Sequence, residues 1–114
     1  MKRYKVKPVE KIELEFEDGH VIPMMFNMKS MGFLGEAIRE KKTRIVGPEF
    51  YALIIYAGCR ACDDDFTFDQ AEALYVTLEE AYPEVINGIL SAYCEAVGVD
   101  EEDLKKKAIT QLLK

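Results

Sequence analysis

The hydrophobic pattern of the chain changes period once, near residue 27. Before that point Ile12, Leu14 and Phe16 alternate with Glu13, Glu15 and Glu17, the period of a half-exposed strand. Asp18-Gly19 follows, a dipeptide that tolerates positive φ and predicts a hairpin turn. Val21 to Phe26 returns as the second strand. A two-residue loop sets the expected register: Phe16 opposite Val21, Leu14 opposite Pro23 and Ile12 opposite Met25, all on one face. Pro23 has no N–H for a ladder, which predicts an edge strand or a bulge. Upstream, Lys2 to Lys7 alternates weakly and stops at Pro8.

Beyond residue 27 the apolar positions recur at helical spacing. Asn27 or Ser30 can cap a first helix to about Lys42, with Phe33, Leu34, Ala37 and Ile38 as its stripe. Pro48 fits the first position of a second helix reaching about Cys62. Its segment FYALIIYAG is apolar on nearly every side, as in a helix buried within a bundle. Thr67-Phe68-Asp69-Gln70 is a capping box that opens a third helix to about Ala81. Pro83 starts a fourth, with Val85, Ile86, Ile89, Leu90, Tyr93 and Val97 on one stripe and Gly98 as its stop. Asp100 caps a short fifth helix carrying Leu104, Ala108, Leu112 and Leu113. The prediction is an α+β fold in which an N-terminal β-hairpin, or a small antiparallel sheet, precedes a bundle of four to five helices. It forms a single domain over 1–114, with a hairpin region 1–26, a helical core 27–98 and a C-terminal helix 99–114.

Composition narrows the class. A chain of 114 residues, 49% hydrophobic, forms one domain burying about two-thirds of its unfolded surface without metal or disulfide staples. No uncharged stretch exceeds ten residues, against roughly 18 needed to cross a bilayer. The N-terminus has no apolar core of signal-peptide type, so the expectation is a cytoplasmic protein with no membrane partner. Charge is unevenly spread: residues 60–103 hold 13 Asp/Glu and one base, Arg60, a local −12, while the rest is +6. That leaves no broad cationic face for nucleic acid. Solvated acidic helix faces account for the band, and an oriented meeting with a basic partner or another copy is the sharper reading.

Candidate chemistry is sparse. Cys59-Arg60-Ala61-Cys62 has the CxxC spacing of zinc and redox sites. A zinc site would have to recruit Cys94 and His20, which form no second short-spaced pair. A redox CxxC opens a helix, whereas this one closes one and precedes Asp63-Asp64-Asp65, whose charge raises thiol pKa. Packing accounts for these cysteines better, and no metal or cofactor is expected. An EF-hand needs Gly at its sixth position and Glu at its twelfth; counted from Asp63 these are Phe68 and Leu74, and from Asp65 they are Gln70 and Val76. The acidic run reads instead as a helix-start cluster. His20, the single histidine, falls at the hairpin tip as a turn residue. No Ser–His pattern and no phosphate-binding glycine loop is present, so no enzyme is expected. Met24, Met25, Met28 and Met31 crowd into eight residues; they fill an irregular strand-to-helix junction or form an adaptable docking surface. A second candidate surface is the C-terminal helix with Leu104, Leu112 and Leu113, which follow or flank Lys105-Lys106-Lys107.

The order of features carries a resemblance. A charged, alternating hairpin (KIELEFEDGHVIPMMF) leads into a first helix (MKSMGFLGEAIRE). A buried helix ending in ALIIYAG, an acidic break and a Thr-opened acidic helix (TFDQAEAL) follow. Over residues 10–98 this order resembles the tail assembly chaperones of long-tailed, siphovirus-type bacteriophages and prophages; Pro23, the CxxC and the longer C-terminus depart from their pattern. The resemblance implies a non-enzymatic virion-morphogenesis factor of the bacterial host cytoplasm. It would bind the tape-measure protein, shield its apolar stripe and recruit tail-tube subunits, with no catalytic residue to carry over. Self-association through the hairpin edge or the C-terminal helix is an added expectation. Two other readings stay open: a zinc- or thiol-dependent regulator using Cys59, Cys62 and Cys94, and an acidic DNA mimic.

Overall fold

A computed structural model describes residues 1–6, 11–41, 47–98 and 102 of the chain. Strands β1 (Lys11–Glu15) and β2 (Val21–Met25) form an antiparallel hairpin. Helices α1 (Met28–Lys41), α2 (Gly47–Arg60), α3 (Phe68–Ala81) and α4 (Pro83–Val97) follow, giving the α+β arrangement that the periodicity predicts. The fifth helix, with Leu104, Leu112 and Leu113, lies outside the described residues.

The hairpin register differs from expectation by one residue. The Phe16 N–H donates to the His20 carbonyl at 2.8 Å, and the Gly19 N–H to the Phe16 carbonyl at 2.9 Å. The loop is therefore Glu17-Asp18-Gly19, a tight turn followed by glycine at φ 88°, the usual three-residue solution with a glycine bulge. Asp18 Oδ1 fixes it by accepting from the His20 N–H at 2.9 Å. The extra loop residue sets Ile12 opposite Met24 and Leu14 opposite Ile22, and a one-residue slip exchanges the faces of a strand. Ile22, Met24 and Phe26 thus face inward, in place of Val21, Pro23 and Met25. Pro23 pairs with Glu13. Because hydrogen-bonded and non-hydrogen-bonded pairs alternate from Phe16/His20, the ladder asks nothing of the Pro23 nitrogen, which lies on the edge of β2 away from β1.

Helix boundaries follow from local chemistry. Asn27 caps α1: its Oδ1 accepts from the Ser30 N–H at 3.0 Å, and its own N–H donates to Ser30 Oγ at 2.7 Å. The Ser30 hydroxyl donates in turn to the Asn27 carbonyl at 2.8 Å, which satisfies a fully buried serine. The Thr67/Gln70 capping box at the start of α3 forms as its sequence predicts. Pro83 sits in the first turn of α4, and Gly98, at φ 72°, closes it.

The buried helix α2 is the hub, packed by α1, α3, α4 and β2. Leu53, Ile54, Ile55 and Ala57 are sealed at its centre, which satisfies a segment apolar on almost every side. Ile89, Leu90 and Tyr93 of α4 and Leu74, Tyr75 and Leu78 of α3 complete the core. At the C-terminal end of α2, where a cation is favoured, Arg60 lies over the Phe33 ring at 5.0 Å and donates to Tyr56 Oη at 3.2 Å. The strand β1, by contrast, has β2 as its one extensive neighbour among the described residues.

Candidate functional site: an open groove between the hairpin and α3

An open groove of about 440 Å³ separates the turn end of the hairpin from α3. Phe16, Val21, Ile22 and Pro23 supply one wall, so the groove runs along the edge of β2 that no strand among the described residues covers. Gln70, Ala73, Leu74 and Thr77 supply the other; they recur at i, i+3, i+4 and i+7, one face of a helix. Phe66 of the α2–α3 turn also lines it. The lining is mainly apolar, and its polar members include Asp18, Asp63 and His20. His20 lies against Phe16 with ring centroids 5.7 Å apart. Asp63 Oδ1 accepts from the Asp65 N–H at 3.0 Å, which holds the acidic turn in shape. Of the acidic run only Asp69 enters the first turn of α3; Asp63, Asp64 and Asp65 precede the helix, a correction to the helix-start reading. Asp64 instead meets Lys29 of α1 at 3.5 Å.

The other candidate residues are dispersed. Cys59 is buried in the core, Cys94 is buried on α4 and Cys62 is exposed at the end of α2. Burial, reinforced by Cys62 and Asp63, pushes the Cys59 thiol up to about 12, the opposite of an activated thiolate. Among the described residues no three His, Cys, Asp or Glu side chains stand where they could share a metal ion. Cys59, Cys62, Cys94 and His20 are therefore not brought together as a zinc-binding set. Tyr75 is likewise pushed up to about 12, first by burial and then by Glu79; Tyr93 is raised by burial, next by Cys94. Both tyrosines are core aromatics: Tyr51 stacks edge-on against Tyr75, and Phe26 and Phe50 against Tyr93.

The four methionines do not form one surface. Met24 is fully buried and belongs to the core, a correction to its place in a docking patch. Met25 and Met31 are half-buried, and the Met25 sulfur accepts from Asn27 Nδ2 at 3.3 Å. Met28 alone is wide open, at 89% exposure. None of the four lines the groove. Sequence reasoning missed Ile22, Phe66, Ala73, Leu74 and Thr77 as groove residues. The i, i+3, i+4, i+7 run on α3 was readable, but nothing local assigns that face to the hairpin.

A second gap, between α2 and α4 beside Ile54, Ile55, Ile86 and Leu90, has a volume of about 10 Å³, room for one water at most. No described helix is long and apolar enough to cross a membrane. Compared with known proteins, the chain matches no family model, no curated protein and no solved structure.

Proposed function

We propose that this chain is a non-catalytic assembly chaperone that shields apolar surface on another polypeptide. It would work as the tail assembly chaperones that its sequence order resembles, holding a tape-measure protein in the host cytoplasm and presenting it to tail-tube subunits. The observation that carries this reading is the groove: apolar, open, and built from two elements distant in sequence. An exposed concavity of this kind suits side-chain burial from a partner. Pro23 on the β2 edge removes a backbone donor there, so the groove favours an apolar helical stripe over an added strand. Such stripes are what a long helical tape-measure protein exposes before the tube encloses it. The thiol-dependent alternative loses its support, since Cys59 is buried and protonated and the zinc candidates do not converge.

Co-expression with a tape-measure protein of a long-tailed phage tests the proposal; if this chain's gene lies beside one, that protein is the client to use. The expected result is a shift of the tape-measure protein from the insoluble to the soluble fraction, with this chain co-purifying. Insolubility unchanged by this chain overturns it.

A further inference from the structure

Among the described residues the hairpin has two unpaired edges, and they differ. The β2 edge carries Pro23, a device that blocks strand addition. The β1 edge reads Lys-Ile-Glu-Leu-Glu, with neither proline nor bulge. By the alternation that starts at Phe16/His20, the backbone N–H and C=O groups of Lys11, Glu13 and Glu15 point away from β2. Among the described residues the sheet has two strands, and residues 1–6 are exposed throughout and lend no third. Ile12, Leu14 and Phe16, although they pack against the core, stay only half-buried. Polar backbone and apolar side chains are thus left open on the same strand.

We propose that β1 pairs antiparallel with β1 of a second copy, about a two-fold axis through Glu13, to form a four-stranded sheet. Only one register overlaps all five residues of both strands. It sets Lys11 opposite Glu15 of the second copy, and the reverse, with Glu13 opposite Glu13. The outward-pointing groups of these residues then meet as hydrogen-bonded pairs, so the backbone parity is correct. On the opposite face Ile12 meets Leu14 twice and continues the apolar layer across the joint. Two Lys–Glu pairs favour the contact, and one Glu–Glu pair on the axis opposes it. Lys11 Nζ lies 3.8 Å from Glu13 Oε1 of its own strand, which tempers that repulsion. The pairing uses the edge remote from the groove, so it stands or falls independently of client capture.

Sedimentation velocity of the full chain over a concentration series tests it. The wild type is expected to run as a concentration-dependent monomer–dimer equilibrium. Glu13→Gln removes the axial repulsion and tightens the dimer about two- to fivefold. Glu13→Pro removes an N–H that β2 does not use, and abolishes the dimer while the circular dichroism spectrum is retained. Lys11→Glu weakens the dimer, and adding Glu15→Lys to it restores association. If Glu13→Pro fails to fold, the charge reversal and its rescue decide alone. A monomer at every concentration, or a dimer indifferent to Lys11→Glu and its rescue, overturns the proposal.

Discussion

Gly58 lets α2 pack closely against Met24 and Phe26 at the end of the hairpin. A Cβ added there would lie 2.9 Å from Phe26 Cε1 and 3.0 Å from its Cζ, with Met24 Cβ at 3.4 Å. The Phe26 ring has little freedom to retreat, because Tyr93 stands edge-on against it at 5.8 Å. Alanine gains up to about 1 kcal/mol over glycine in a helix, whereas overpacking a core costs about 1–3 kcal/mol. With the ring pinned, the clash wins, and Gly58→Ala is expected to lose about 1–2 kcal/mol in urea denaturation. Gly88 is the control: it is exposed on α4, and a Cβ there meets nothing within 4 Å. Gly88→Ala should therefore gain about 0.5–1 kcal/mol. A stabilised Gly58→Ala would mean that the Phe26 ring yields and that the contact is not tight. The Tyr-Ala-Gly ending of α2 is visible in the sequence as a pattern. Its reason is a ring from another element, which no local reading supplies.

At the scale of elements, what the chain states locally is what could be read in advance. Thr67 with Gln70, Asn27, Pro83 and Gly98 all set helix boundaries through groups within a few residues of themselves, and such signals are self-contained. The hairpin register was less legible, because Asp-Gly serves two-residue and three-residue loops alike. The choice fell to the Phe16 and Gly19 hydrogen bonds and the positive φ of Gly19, and it decides which methionine enters the core. Met24 is fully buried and Met25 half-buried. Met24→Ala should then cost about 2–5 kcal/mol, and Met25→Ala about 1 kcal/mol or less. Equilibrium unfolding of the two variants reads the difference. A larger loss at Met25 would restore the two-residue register and move Ile22 and Phe26 off the inner face.

The groove exists only at the scale of the whole molecule, which is why the sequence concealed it: its walls come from residues 16–23 and 63–77. The acidic band was legible as composition, but the structure alone brings Asp18 and Asp63 to the same groove. Two forces could therefore hold a client, and salt separates them. Exposed charges are screened over about 10 Å at 0.1 M salt and about 3 Å at 1 M, while apolar burial is not weakened by screening. If apolar capture dominates, a client bound at low salt should stay bound in about 1 M sodium chloride. Asp18→Asn with Asp63→Asn keeps both turn acceptors, and should change retention at low salt only. Val21→Thr with Ala73→Gln places polar atoms in the lining at two positions that are exposed in the free protein, so stability should shift by about 0.5 kcal/mol or less per site. Each group left unpaired under a bound client costs about 1–3 kcal/mol, so the double variant should bind at least tenfold more weakly, about 1.4 kcal/mol. Pull-down of the co-expressed client over a salt series checks all three. Release of the client by salt, with the polar double variant unaffected, would assign capture to the acidic band and make the chain an electrostatic mimic instead of an apolar shield.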